Sequence, residues 1–371
     1  MIKQAIGLCA IGILSAACSS KPSAGKQENE LSMLVGTYTS GSSKGIYTFR
    51  FNEETGIATP LSEVALSNPS YLTLSADGKF VYAVSEEDGA SSAVNAFAFD
   101  REKGTLQLLN SQPTEGSSPC YVSTDGKKVL TANYGGGSMS VFTVQNNGSL
   151  AKIDTLFLGA ATGPDSDRQG AAHVHCATFS PDGNYIFATD FSADRLLQYA
   201  VHEKEEKPRP LSTTVDIAPG SGPRHLTFSP NGKFAYLINE LSGKVIAFSY
   251  TDGRLNEIQT ITADTVRAKG SADIHLSPDG KYLYASNRLK EDGLAIFEVN
   301  SETGTLAKVG YQLTGIHPRN FNITPNGKYL LVACRDSNVI QVFERDPATG
   351  LLTDTKQDIV IDKPVCIQFA E

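Results

Sequence analysis

The residues of this chain best equipped to do chemistry stand at fixed distances from a recurring turn phrase. At one offset ahead of the turn, successive copies carry Ser70, Cys120, His175, Arg224, Ala272, Arg319 and Val365, with a gap allowed in the second copy. The neighbouring offset holds Tyr71, Tyr121, Cys176, His225, Asp273, Asn320 and Cys366. Nine residues after the Asp or Asn of the turn come Glu86, Tyr134, Phe191, Glu240, Arg288 and Arg335, with Tyr38 in the equivalent place near the N-terminus. One position earlier lie Asn133, Asp190, Asn239 and Asn287. Residues at equal offset in a repeat occupy equivalent places in space, so both sets converge on one region. A ring that only packed would be filled with small or apolar side chains. This one gathers imidazoles, guanidiniums, carboxylates and amides, which suits a small polar substrate, and guanidinium forks match phosphates and carboxylates.

The same residues have plainer readings. Arg and Glu at these positions can tie neighbouring repeats together as ion pairs. His173 and His175 form His-x-His, which on a strand points both imidazoles to one face and could hold zinc if Asp273, His225 or His275 supplied a third ligand. The surrounding arginines would repel a cation, so no metal is expected.

The elements that position these residues follow from the turn phrase. Asp77-Gly78, Asp125-Gly126, Asp182-Gly183, Asn231-Gly232, Asp279-Gly280 and Asn326-Gly327 recur about every 48 residues, with one longer interval of about 57, in the range of propeller blades. Asp-Gly and Asn-Gly favour tight turns in which both central residues take positive φ, joining antiparallel strands. Extended runs flank each turn, and a third and fourth follow, as in Lys244 to Tyr250. The expected fold is all-β, a seven-bladed β-propeller of four-stranded antiparallel blades. The N-terminal strands Met33 to Thr37 and Ile46 to Phe51 lack a preceding hairpin strand, and Lys363 to Phe369 has the pattern of that strand. The C-terminal strand should therefore join the N-terminal blade and close the ring, leaving no free sheet edge around the circle.

The 371 residues should thus form one domain, 31–371, with 40% hydrophobic residues as core material. The absence of Trp speaks against WD40 repeats. A net charge of −8 argues against a nucleic-acid partner. Residues 1–17 read as a signal peptide: Lys3, an apolar run from Ala5 to Leu14, then Leu14-Ser15-Ala16-Ala17-Cys18. This resembles the lipobox of bacterial lipoproteins, in which the cysteine, here Cys18, is lipidated. Residues 18–30 would then be a flexible tether to the membrane, and the protein would sit in the cell envelope, or in the cytoplasm if the signal reading fails. His202, in a run of Glu and Lys, reads as part of a solvated loop. Cys120, Cys176, Cys334 and Cys366 fall in different blades on apolar strands and should be buried free thiols.

Gly170-Ala-Ala-His173-Val-His175, Gly220-Ser-Gly-Pro-Arg224-His225-Leu, Asn239-Glu240-Leu241, Ala272-Asp273-Ile-His275, Ser286-Asn287-Arg288 and His317-Pro318-Arg319-Asn320-Phe321 together resemble the seven-bladed lactonase family. That family includes the propeller-type bacterial 6-phosphogluconolactonases and the fungal carboxy-muconate lactonizing enzymes. The resemblance spans about Met33 to Phe369 and implies an enzyme without metal or other cofactor, acting on a small anionic lactone, with His175, Arg224, Glu240 and Arg288 as its active residues. Glu240 would act as general base toward water, Arg224 would stabilise the oxyanion and His175 would supply the proton, though the roles of Glu240 and His175 are exchangeable. Arg288, helped by Arg319 or Arg335, would grip the substrate anion. His173, His225, Asn133, Tyr134, Asp190 and Asn287 complete the expected substrate-binding set. The obvious substrate, 6-phosphogluconolactone, is made in the cytoplasm, whereas Cys18 points outside it. Reversible lactonization of a muconate, or a non-catalytic envelope propeller binding a glycan or protein, are the competing readings.

Overall fold

The computed structural model describes residues 1, 29–201, 208–210 and 214–370. Apart from Met1, the expected signal segment, the lipidation site Cys18 and nearly all of the tether lie outside the described residues, as do His202 and its charge run.

Seven antiparallel sheets follow one another in chain order. The fifth blade shows the plan: Pro223–Phe228 is innermost, followed outward by Phe234–Asn239, Lys244–Thr251 and Arg254–Thr262. In the fourth and seventh blades the outermost strand is broken into two short pieces. The ring closes as the repeat count requires. Pro364–Ala370 pairs antiparallel with Glu30–Thr37, Met33 opposite Phe369, and becomes the innermost strand of the first blade. It packs beside Pro318–Ile323 of the seventh blade and Leu72–Leu74 of the second.

The core lies between blades. Tyr236, Ile238, Val245, Leu283 and Phe297, from the fifth and sixth blades, form one such seam. A repeated device sets the spacing: the Tyr236 hydroxyl donates to Gly304 O (3.0 Å) in the outer turn of the next blade, as Tyr82 does to Gly148 O (3.1 Å) and Tyr284 to Gly350 O (2.7 Å). The ring of Phe234 lies against Gly304, where a Cβ would come within 2.3 Å of it. The four cysteines are free and buried, as their apolar strands predict.

The hairpin turns differ from expectation in one respect. Only the glycine has positive φ (Gly78 +66°, Gly232 +68°), not the Asp or Asn before it. Side chains shape the turn instead. Ser75 Oγ bonds Asp77 Oδ1 (2.7 Å) and accepts from Phe80 N (3.0 Å), the Asp77 carboxylate accepts from Lys79 N (3.1 Å), and Gly78 N closes the turn on Ser75 O (2.8 Å). An Asx-type turn then needs only one left-handed residue, which glycine supplies.

Candidate active site

Because Val174 pairs with Asp190 and Pro223 with Asn239, each inner strand begins where its neighbour strand ends. Both offset sets therefore share one mouth of the channel. How consecutive residues can both serve it is explained by the register. The inner strands break register between Pro119 and Tyr121, Val174 and Ala177, Pro223 and His225, Ser271 and Ile274, and Pro318 and Asn320. A β-bulge inserts one residue and re-aims its side chain. Cys120, His175, Arg224 and Arg319 all fall within these irregularities.

The centre of the mouth is Glu240, 5% exposed. Its Oε2 accepts from Arg224 Nε (2.8 Å) and lies 3.3 Å from Arg288 Nη2, while Oε1 accepts from Arg168 Nη2 (2.6 Å). Burial works to raise the Glu240 pKa, but Arg288, Arg224 and Arg168 outweigh it and hold the carboxyl down at about 2. Arg224 is fixed in turn: Nη1 donates to Ala272 O and to His225 Nε2 (3.2 Å), and His225 Nδ1 donates to Asp273 Oδ1 (2.7 Å). Arg288 donates from Nε to Gly270 O (2.8 Å) and from Nη1 to His317 Nε2 (3.1 Å).

His175 is 4% exposed, with Nδ1 3.7 Å from Cys120 Sγ. Burial first, then Arg224, His225 and Arg319, push its pKa well below the ordinary imidazole value. The ring is therefore neutral at pH 7, so a proton supplied by His175 would come from its remaining N–H and not from an imidazolium. Ser70, Cys120, His175, Arg224, Arg319 and Asn320, at the starts of the inner strands, line a partly open space of about 10 Å³, of the order of a single water.

Of the expected substrate-binding residues, several reach the mouth. Tyr134 stacks on His173 (centroids 4.0 Å, interplanar 3°), and His173 Nδ1 donates to Tyr134 O (2.7 Å). Arg319 lies over the Tyr38 ring (5.4 Å) and 3.6 Å from Glu86, which accepts from the Tyr38 hydroxyl (2.9 Å). Arg335, nearer the rim, pairs with Asp336 (2.7 Å) and faces His317 Nδ1 (3.2 Å).

Four do not serve a ligand directly. Both His225 nitrogens are engaged, so it supports Arg224 rather than substrate. Asn133, Asp190 and Asn287 are wholly buried with partners inside the blades: Asn133 bonds Ser138 and Ser140, Asp190 pairs with Arg195 and caps Ala160 N, and Asn287 accepts from Ser271. Neighbouring residues on a strand face opposite sides, so if Glu240 and Arg288 face the mouth the residue before each points back into the sheet. Nor do the two histidines of His-x-His gather a metal site: among the described residues no three His, Cys, Asp or Glu side chains converge to hold one.

The residue that repeat logic missed is Arg168. It sits on the short helix Ser166–Gln169, within the connection 159–173 between the third and fourth blades, and so has no equivalent at any offset. The one signal was the long interval between Asp125 and Asp182, which marks an insertion there. His317, in the His317–Phe321 motif, lies between Arg288 Nη1 (3.1 Å) and Arg335 Nη2 (3.2 Å), a place that its sequence offset does not single out.

The fold is a seven-bladed ring, and at its mouth the guanidiniums of Arg168, Arg224 and Arg288 surround the Glu240 carboxylate. The chain belongs to the seven-bladed β-propeller lactonase family, whose model matches residues 32–369. It is 39% identical over 348 residues to a 6-phosphogluconolactonase of Formosa agariphila, covering 91% of this chain and 99% of that one. A Bacteroides uniformis structure described as a candidate 6-phosphogluconolactonase superposes with TM-score 0.92 at 70% identity, covering 92% of this chain and 100% of that one. The periplasmic gluconolactonase of Pseudomonas aeruginosa superposes with TM-score 0.87 at 36% identity, covering 92% and 99%.

Proposed function

We propose that this protein hydrolyses a sugar lactone, 6-phospho-D-glucono-1,5-lactone, to 6-phosphogluconate. The observation that carries this reading is the convergence of Arg168, Arg224 and Arg288 on Glu240: three guanidiniums share one carboxylate, while Arg319 and Arg335 beside them have Glu86 and Asp336, and an anionic substrate completes the balance. The 6-phosphogluconolactonase of Formosa agariphila, similar over nearly its whole length, supports the choice of lactone.

The chemistry follows from the groups present. Glu240 takes a proton from water, the water oxygen bonds to the lactone carbonyl carbon, and Arg224 Nη2, whose sister nitrogens are committed elsewhere, receives the oxyanion. When the bond from that carbon to the ring oxygen breaks, Glu240 returns the proton to the ring oxygen. One group thus serves as base and then acid. Neutral His175 orients the water rather than supplying a proton.

The lipobox-like Cys18 supports a place in the envelope, with the enzyme tethered by lipid. The similarity to a periplasmic gluconolactonase favours one second reading, hydrolysis of unphosphorylated gluconolactone in that compartment. Lactone hydrolysis by the purified protein, above the spontaneous rate, with and without chelator, tests both readings. Faster turnover of the phosphorylated lactone, unaffected by chelator, is expected; faster turnover of gluconolactone would select the second reading, and no acceleration of either would refute both.

A further inference from the structure

Three guanidiniums hold Glu240, but they are not alike. Arg224 and Arg288 belong to the blades, and their side chains are 1% and 6% exposed; that of Arg168 is 35% exposed. Arg224 and Arg288 also donate to backbone carbonyls of the sixth-blade approach, Ala272 O and Gly270 O, which anchor them. Arg168 reaches Glu240 from above, with its guanidinium 5.6 Å from the Phe191 ring centroid and beside the Tyr134 hydroxyl. Of the three, only Arg168 can leave the carboxylate without breaking a bond to the backbone.

Its own backbone is nonetheless held. The Asp165 carboxylate caps the helix at Arg168 N (3.2 Å), and its other oxygen pairs with Lys269 Nζ (2.9 Å) on the connection between the fifth and sixth blades. Gln169 is buried beneath, donating to Phe191 O (3.0 Å). Gly163 folds over that side chain so closely that a Cβ there would lie 2.4 Å from it. The connection is a strap pinned at both flanks, from which one long, rotatable cation projects into the mouth.

We propose that Arg168 is the specificity-determining residue for the anionic group of the substrate, exchanging its bond to Glu240 Oε1 for the phosphate of the incoming lactone. Substrate charge then does two things at once: it docks the ligand through a charge-assisted bond and uncovers Glu240 Oε1. An uncharged lactone offers Arg168 nothing in exchange and leaves Glu240 capped. With one guanidinium withdrawn and a dianion near, the Glu240 carboxyl rises from its depressed range toward one in which it accepts a proton usefully.

This inference rests on the lactonase reading, and its test separates the two. The kcat/KM values for 6-phosphogluconolactone and for gluconolactone are measured in the wild type, Arg168→Ala and Arg168→Lys, and calorimetry measures the Kd of 6-phosphogluconate and of gluconate for the same proteins. Melting curves report folding. The ratio of kcat/KM for phosphorylated over unphosphorylated lactone should fall roughly 10- to 100-fold in Arg168→Ala, the worth of one bond to a charged group, with partial recovery in Arg168→Lys. The preference for 6-phosphogluconate over gluconate should fall with it. An equal loss on both lactones, with 6-phosphogluconate affinity unchanged, would overturn the proposal and leave Arg168 a partner of Glu240 only. If the wild type hydrolysed neither lactone, the lactonase reading would fail. A wild-type preference for 6-phosphogluconate lost in Arg168→Ala would still support the anion-reading role, and no such preference would refute it.

Discussion

Arg224 Nε and Glu240 Oε2 meet at 2.8 Å with side chains 1% and 7% exposed, an ion pair inside a single blade rather than between blades. The first residue lies on a bulged inner strand and the second just past the end of its neighbour, so the geometry of one hairpin fixes both. A buried pair of this kind is poor evidence for stability, because desolvation offsets much of the attraction, but breaking it leaves uncompensated charge.

Glu240→Gln should therefore be damaging twice over. Activity should fall by about 10²- to 10⁴-fold, the usual contribution of a general base. Arg168, Arg224 and Arg288 would also face one another without a counter-charge, so the melting temperature should drop. Added inorganic phosphate should restore part of the melting temperature without restoring turnover. A loss of activity below about tenfold would remove Glu240 from the base role.

Ring closure makes a second demand. A chain ending at Lys363 loses Val365, Cys366 and Ile367, each 1% exposed or less, and strips the inner partner from Glu30–Thr37. Burial of such side chains contributes about 1.5–3 kcal/mol each, a large share of the roughly 5–15 kcal/mol that holds a domain together. The exposed strand edge would also invite pairing between molecules. Circular dichroism and gel filtration should show an unfolded or aggregated product; a folded monomer would mean that the first blade holds on three strands.

Much of this architecture was legible because the repeat carries its own register. Counting from Asn231-Gly232 or from Asp279-Gly280 leads to equivalent positions in the fifth and sixth blades, and the strand missing beside Met33 to Thr37 could be found at Lys363 to Phe369 because that segment follows the pattern of the strand before each turn. His175, Arg224, Glu240 and Arg288 all stand at the two offsets, and the family resemblance singles them out from the rest of those rings. Asn133, Asp190 and Asn287 share an offset with one another but are buried inside the blades, because offset says which residues are equivalent, not which side of the sheet they face. The bulge that turns Arg224 and His225 into a working pair breaks strand alternation, and nothing in the local sequence announces it. Arg168 was invisible for the opposite reason: it lies outside the repeat, so only the length of its interval betrayed it.

Acid should weaken the fold well before it protonates ordinary carboxylates. Burial, then neighbouring arginines, hold His225 at about 4 and His317 at about 3, and His175 well below the usual range. The unfolded chain binds protons at these histidines near pH 6.5, so between there and the folded values stability falls as pH drops. Glu240, at about 2 when folded and near 4.5 when not, adds a loss of the same sign lower down. Urea midpoints should decline steadily from pH 7 to pH 4, and less steeply in His317→Gln. A flat profile would mean that these imidazoles titrate normally.

Asp273 gives the sharpest test of how the site is held. It is 1% exposed and accepts from His225 Nδ1 (2.7 Å), His275 Nε2 (2.9 Å) and Asn320. The first of these bonds keeps the proton of His225 on Nδ1, so that Nε2 presents a lone pair to Arg224 Nη1. Without the carboxylate, the proton is free to move to Nε2, where it would confront the Arg224 donor and turn the guanidinium away from Glu240. Asp273→Ala should thus lower kcat by about tenfold or more through a misplaced oxyanion donor, with a smaller effect on KM. His275→Gln supplies the contrast. It disturbs the same carboxylate on the side away from Arg224, and should lower the melting temperature while changing kcat far less. Equal losses of kcat in both variants, tracking their melting temperatures, would show that Asp273 supports the fold and not the aim of Arg224.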